Sequence, residues 1–130
     1  SSPKKLSPEE VKFKLDLNVF FGHQILQIPP RCENCNQPFV GYTKEQLRGI
    51  IAHILPKSLK SGFPEVSIHP QNRLFLGTKC GCHNSFDNKG AEDRSKMGCY
   101  ELALQRFDQF KNLLSQKDII RAKKYLNIID

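Results

Sequence analysis

Two short stretches decide the fold: RCENCNQP at residues 31–38 and KCGCHNSFDN at residues 79–88. Each stretch carries a close pair of cysteines, the first with CxxC spacing and the second with CxC spacing. Four thiolates suit a tetrahedral zinc ion, and a site whose four positions are all filled by the protein is structural, because none is open to a substrate. We therefore predict a structural Zn²⁺ bound by Cys32, Cys35, Cys80 and Cys82.

The fifth cysteine, Cys99, leaves other ligand sets open. Because CxC is less usual than CxxC, Cys99 or His69 could replace one member of the second pair. Free buried cysteines, which often serve as small core residues, are the alternative to any metal site. An odd number of cysteines at these spacings does not suit a secreted disulfide framework, so we expect a reducing, cytoplasmic compartment. A redox protein built on the first pair is disfavoured, because that pair follows Pro-Pro-Arg rather than a strand-to-helix turn.

The residues between and after the cysteine pairs predict two short strands and a helix. The apolar runs GIIAHIL at 49–55 and RLFL at 73–76 have strand length. Residues 84–89 are polar and predict a short helix that ends at Gly90. The next residues, 91–97, predict a charged loop.

Helices are predicted at both ends of the chain. Ser7-Pro8-Glu9-Glu10 combines an N-cap, a proline at the first helical position and a capping box, so a helix begins there. The helix is predicted to continue to residue 28, with Gly22 as an alternative end, and Pro29-Pro30 closes the element. From Cys99 onward, apolar residues recur at helical spacing. We predict one α+β domain over residues 1–130, made of an N-terminal helical segment (1–30), a zinc-stapled core (31–90) and C-terminal helices (91–130).

Charge and hydropathy narrow the class of partner. The 130 residues include 20 Lys and Arg against 13 Asp and Glu, a formal net charge of +7, which suits nucleic acid or another acidic partner. No apolar run approaches the roughly 20 residues that span a bilayer, so a membrane-spanning segment is excluded. Basic side chains near the cysteine pairs would contact phosphates without reading sequence. These are Arg48, Lys57, Lys60, Arg73, Lys79 and Lys89, with a second set, Arg121, Lys123 and Lys124, near the C-terminus.

Three further pieces stand in a fixed order: AHILPKS at 52–58, PQNRLFL at 70–76 and CHNSFDN at 82–88. They place a histidine on a strand before a proline, an asparagine directly before a second strand, and a Cys-His step at the start of a helix. This order, with the linked cysteine pairs, resembles the HNH endonuclease family. The resemblance implies a ββα-metal core and hydrolysis of phosphodiester bonds, for which we expect double-stranded DNA as the substrate.

The resemblance also implies a role for each matching residue. The family's strand histidine, here His53, is the general base, and an imidazole that titrates near neutral pH can take a proton from water. The family's asparagine, matching Asn72, orients that imidazole or ligates the metal. Its last histidine, matching His83, is a metal ligand or a structural residue. Asp87 shares a helix face with His83, so the two could hold a catalytic Mg²⁺ or Mn²⁺.

One departure from the family keeps a second function open. Many HNH enzymes place an Asp or His metal ligand directly before the base, and here that position is Ala52. A nuclease would use Arg73 or Lys57 to neutralise phosphate and Lys79 as a further contact with nucleic acid. The alternative is a catalytically degenerate zinc module that binds nucleic acid or protein without cleaving it. In that case His53 is an ordinary hydrogen-bonded histidine.

Overall fold

The chain folds into an α+β arrangement, in which six α-helices surround one antiparallel pair of strands within residues 5–129, the part that the computed structural model describes. Three single turns of 3₁₀ helix, at Arg48–Ile50, Pro64–Val66 and Lys111–Leu113, join some of these elements. In chain order the elements are α1 (Pro8–Ile25), α2 (Lys44–Leu47), β1 (Ile51–Ala52), β2 (Leu74–Phe75), α3 (Cys82–Asn88), α4 (Ala91–Arg94), α5 (Tyr100–Phe110) and α6 (Gln116–Tyr125).

Helix α1 begins where the sequence predicted. The hydroxyl of Ser7 accepts a hydrogen bond from the backbone N–H of Glu10, and the carboxylate of Glu10 accepts one from the N–H of Ser7, which completes the capping box. The helix ends at Ile25, three residues before the predicted end. Its buried face packs against the sheet in a cluster made of Leu17, Phe20, Phe21, Ile50, Ile51 and Phe75.

The sheet is shorter than the apolar runs predicted. Strand β1 pairs with β2 so that Ile51 faces Phe75 and Ala52 faces Leu74. The prediction of a strand over 49–55 is right only for two residues, because a 3₁₀ turn fills the residues before it and the chain leaves the sheet after Ala52. His53 therefore lies directly after the strand, so the alternation of side chains between the two faces of a sheet does not set its direction.

Helix α4 occupies part of the segment predicted as a charged loop, and its buried arginine explains why. The guanidinium of Arg94 donates to the carbonyl oxygens of Phe86 (2.9 Å), Lys89 (2.8 Å) and Tyr125 (2.7 Å). These carbonyls lie at the C-terminal ends of α3 and α6, where backbone acceptors lack partners within their own helix. Arg94, only 2% exposed, thus joins the two helix ends.

A second cluster joins the cysteine-bearing segment to the C-terminal helices. Phe86 of α3 packs in it with Phe107 and Phe110 of α5 and with Ala122 of α6. Both ends of the described chain therefore pack on residues of the 31–90 segment. Within residues 5–129, no helix is both long enough and apolar enough to cross a membrane.

Candidate metal centre and active site

The four paired cysteines meet at one point. Their sulfur atoms all lie within 4.8 Å of one another, and the Sγ atoms of Cys32 and Cys80 are 3.8 Å apart. A tetrahedron with metal–sulfur distances of about 2.3 Å has edges of about 3.8 Å, so the spacing fits a four-thiolate site. All five cysteines of the chain are free of disulfides. The predicted four-cysteine cluster is confirmed, and its donor set is one that holds a metal such as zinc.

The first pair is brought together by a tight turn. The N–H of Cys32 donates to the carbonyl of Gln37, and the N–H of Asn36 donates back to the carbonyl of Cys32, both at 2.9 Å. Asn36 has φ of 65°, a left-handed conformation that asparagine tolerates better than most residues. The turn folds Cys35 back toward Cys32.

Two glycines shape the second pair. Gly81 has φ of 79°, which lets the chain reverse between Cys80 and Cys82 at the start of α3. A Cβ atom on Gly77 would lie 2.6 Å from the sulfur of Cys80. A larger residue at position 77 would therefore require that sulfur or the backbone beside it to shift.

The local environment favours ionisation of one thiol. Burial alone would raise the pKa of Cys32, but hydrogen bonds from the backbone N–H groups of Cys35, Gly77 and Asn34 outweigh it and lower the pKa to about 7. Because thiols bind metal as thiolates, the lowered pKa favours Cys32 as a metal ligand.

The two substitute ligands left open by the sequence lie outside the cluster. Cys99 is fully buried, its pKa is raised to about 11 by burial, and its N–H donates to the side-chain oxygen of Asn34. The Nδ1 atom of His69 accepts from the N–H of Gln71, and its ring packs on Phe110. The cluster therefore consists of the CxxC and CxC pairs alone.

His53 is held in a fixed orientation close to the sheet. Its side chain is 7% exposed, packs against the rings of Phe20 and Phe21, and has Nε2 2.7 Å from the carbonyl oxygen of Ser67. A carbonyl only accepts hydrogen bonds, so Nε2 carries the proton and Nδ1 keeps its lone pair. Burial lowers the pKa of His53 to about 4, and the imidazole is neutral at neutral pH.

His83 and Asp87 form a pair on α3. Nδ1–H of His83 donates to the carbonyl of Gly49, so in the neutral ring the lone pair is on Nε2, which lies 3.0 Å from a carboxylate oxygen of Asp87. Two ligand atoms at 90° around a metal ion, each about 2.1 Å from it, are about 3.0 Å apart, so the pair has the spacing of adjacent ligands. Although burial opposes it, Asp87 and the Gly49 carbonyl together raise the pKa of His83.

The three candidate residues lie near one another without forming one ligand group. Asp87 and His83 are close enough to act electrostatically on the pKa of His53. In residues 5–129, however, the only set of three or more His, Cys, Asp or Glu side chains with ligand atoms within 4.8 Å of one another is the four-cysteine cluster. The geometry therefore separates the His83–Asp87 pair from a nearby neutral imidazole.

Asn72 supports His53 through the backbone. The residue is fully buried, and its amide oxygen accepts from the N–H of Leu55 (2.9 Å) while its amide nitrogen donates to the carbonyls of Val66 (3.0 Å) and Leu55 (3.4 Å). Leu55 follows His53 by two residues, and Val66 precedes the Ser67 that binds the imidazole. Asn72 thus ties together the two segments that hold the ring, in place of the direct contact or metal ligation expected from the sequence.

The three basic residues predicted to bind nucleic acid differ in their exposure. Arg73 is 7% exposed, and its Nε–H donates to Gln24 of α1 at 2.7 Å. Lys79 is exposed, but its ammonium donates to the carbonyls of Val40 and Gly41. Lys57 is exposed and lies 5.7 Å from the ring centre of Phe21. Arg73, which was predicted to neutralise phosphate, is thus covered by α1.

Arg48, one of the basic residues noted near the cysteine pairs, contacts the same aromatic ring as Lys57. Its guanidinium lies 4.3 Å from the ring centre of Phe21, so both cations stack on the same ring. Phe21 also contacts the imidazole of His53 at a centroid distance of 5.7 Å. Neither cation has an acidic partner in the described part of the chain. The sequence could not reveal this pairing, because Phe21 comes from a distant helix.

Comparison of the chain with models of known protein families, with curated proteins and with solved structures finds no match.

Proposed function

We propose that this protein is a metal-dependent endonuclease of the HNH type, which hydrolyses phosphodiester bonds of DNA with His53 as the general base. The observation that carries the proposal is the grouping of a neutral, orientation-fixed imidazole with the His83–Asp87 pair. The order of these residues along the chain, from a strand end to the start of a helix, is the order of the family that the sequence resembles.

The donor sets fit two kinds of metal ion. The four sulfurs suit a structural Zn²⁺, which would fix the start of α3, since Cys82 is both a ligand and the first residue of that helix. Nε2 of His83 and the carboxylate of Asp87 suit a divalent cation such as Mn²⁺ or Mg²⁺, with the imidazole favouring Mn²⁺. A cation bound there would neutralise negative charge on the scissile phosphate and the leaving oxygen.

The role of His53 follows from its tautomer. Nδ1 accepts a proton from the attacking water, while Nε2–H keeps its hydrogen bond to the carbonyl of Ser67. This hydrogen bond stabilises the positive charge that the ring acquires. A pKa near 4 makes the free imidazole a weak base. The negative charge of a bound phosphodiester raises that pKa, so the base strengthens when the substrate is in place.

Arg48 and Lys57 supply the contacts with phosphate. They are exposed, stacked on one ring beside His53 and without an acidic partner in the described residues. Contacts of this kind hold the DNA backbone without reading bases, so we propose cleavage with little sequence preference.

The test is nicking of supercoiled plasmid with Mn²⁺ or Mg²⁺, with and without EDTA. The parent protein should nick the plasmid only with the metal. His53→Ala should lose nicking while keeping zinc content and DNA binding, and His23→Ala, on the exposed end of α1, should cut like the parent. If His53→Ala cuts as fast as the parent, the assignment of the base is wrong. If the parent binds DNA and cuts it with neither metal, the protein is the non-catalytic zinc module.

A further inference from the structure

Asn34, one of the two residues between Cys32 and Cys35, contacts both the other cysteine pair and helix α5. Its amide nitrogen donates to the sulfur of Cys82 at 3.2 Å. Its amide oxygen accepts from the backbone N–H of Cys99 at 3.1 Å. The two contacts fix the orientation of the amide, because the nitrogen can only donate and the oxygen can only accept.

The contact with sulfur bears on metal binding. Four thiolates around a divalent ion leave a net charge of about −2, and N–H groups that donate to the sulfurs disperse this charge. The contact also restrains the side chain of Cys82, which must point toward the other three sulfurs. A backbone donor, the N–H of Gly77, lies 3.4 Å from the sulfur of Cys32. Asn34 adds a side-chain donor, which unlike a backbone donor can be removed by substitution.

The contact with Cys99 bears on the C-terminal helices. Cys99 precedes the first residue of α5, where backbone N–H groups lack partners within the helix. The neighbouring Glu33 reaches the same helix farther along, since its carboxylate accepts two hydrogen bonds of 2.7 Å from the guanidinium of Arg106. Both residues inside the CxxC turn therefore hold α5.

We propose that Asn34 is a positioning residue of the metal centre, whose single amide group holds the Cys82 thiolate in its ligand orientation and ties the centre to the start of α5. The assignment goes beyond nuclease activity and stands whether or not the protein cuts DNA. Metal loading and the docking of α5 are coupled through this amide.

Two substitutions separate the two contacts. Asn34→Asp keeps an oxygen for the N–H of Cys99 and removes the donor to sulfur, whereas Asn34→Ala removes both. Glu33→Gln is the matched control, because it weakens the other link to α5 and leaves the sulfur contact alone. Zinc affinity is measured by competition with a chromophoric chelator, and each protein is also loaded with Co²⁺ to record its sulfur-to-cobalt charge-transfer absorption.

Both Asn34 variants should bind zinc about tenfold or more weakly. Their cobalt absorption should move to longer wavelength, because a sulfur without its hydrogen bond gives up electron density more readily. Glu33→Gln should keep the band position of the parent even where its stability falls, since band position reports the sulfur environment and not the folding equilibrium.

Three results would overturn the proposal. The first is Asn34→Asp with the zinc affinity and cobalt band of the parent; this variant keeps the helix contact, so it decides the matter even if Asn34→Ala does not fold. The second is weakened binding in Asn34→Asp with parent-like binding in Asn34→Ala, which would show charge repulsion and not a lost donor. The third is a parent protein that binds no zinc.

Discussion

The imidazole of His53 donates from Nε2 to the carbonyl oxygen of Ser67 across 2.7 Å, at a site where both residues are buried. The contact joins the end of β1 to the 3₁₀ turn at Pro64–Val66. It gives the ring one tautomer and one orientation without the help of a charged group. A histidine held in this way is preorganised to accept a proton at its other nitrogen, and it also makes the stability of the fold depend on pH.

Protonation of His53 should destabilise the protein in acid. Its pKa is about 4 in the folded state and about 6.5 in an unfolded chain. Between these values the unfolded state binds a proton that the folded state does not, so the free energy of unfolding falls as pH drops from 6.5 to 4. At about 1.4 kcal/mol per pKa unit, the loss attributable to His53 is about 3 kcal/mol.

The measurement is urea unfolding of the zinc-saturated parent and of His53→Gln at several pH values between 4 and 7. Protonation of the cysteines contributes to both proteins, so the difference between their pH dependences isolates the imidazole. The variant should be less stable than the parent near pH 7 and should lose less stability on acidification. Two parallel curves would mean that folding leaves the pKa of His53 unchanged and that its burial does not shift it.

Asp87 should control the second metal without affecting the first. Replacing it by Asn removes the carboxylate beside Nε2 of His83 but leaves the four sulfurs intact. We expect Asn at this position to weaken Mn²⁺ binding at least tenfold by isothermal calorimetry, with one zinc per chain retained. Asp93→Asn, which changes a carboxylate of α4, is the control. Equal Mn²⁺ affinity in the two variants would remove Asp87 from the site.

Arg48 and Lys57 should set the affinity for DNA. Replacing either by Gln should weaken binding of a short duplex and make it less sensitive to salt, because each phosphate contact contributes about 0.9 to the slope of log K against log salt concentration. Lys117→Gln, an exposed change on α6, should leave the slope unchanged. Fluorescence anisotropy over a range of salt concentrations measures both quantities. An unchanged slope in both Arg48→Gln and Lys57→Gln would place the DNA elsewhere.

The sequence predicted well where a feature depends on neighbours along the chain. The capping box at Ser7 and the cysteine pairs are local patterns, and each forms as expected. The ends of β1 were not predictable from its apolar run. A 3₁₀ turn precedes the strand, and after it the N–H of Leu55 donates to the side chain of Asn72, a residue distant along the chain. Periodicity reports which residues are apolar, and it does not report where a chain leaves a sheet.

Contacts with distant elements account for the largest differences between the predicted and the observed site. Arg73 belongs to the candidate phosphate contacts by residue type alone, yet α1 covers it and Gln24 accepts its hydrogen bond. Glu33 and Asn34 stand between two predicted metal ligands, and their contacts with Arg106 and Cys99 depend on where α5 lies. A charged side chain far along the chain from its acceptors carries no local signal of burial.

Arg94 is the residue whose loss should most damage the fold outside the metal centre. Arg94→Met would leave the carbonyl of Phe86 without its donor in a buried site and those of Lys89 and Tyr125 without theirs in partly buried ones, and a buried polar group left unpaired costs about 1–3 kcal/mol. We expect a loss of at least about 3 kcal/mol in the free energy of unfolding, measured by urea denaturation with zinc saturated. Arg94→Lys should rescue only part of it, because one ammonium cannot reproduce the planar fork that reaches all three carbonyls.

The control is Lys96→Met, an exposed change just after α4, which should leave the free energy of unfolding close to that of the parent. Asp87 lies near the end of α3 that Arg94 caps, so Arg94→Met should also weaken Mn²⁺ binding. If Arg94→Met were as stable as the parent, water would have to replace the guanidinium at both helix ends.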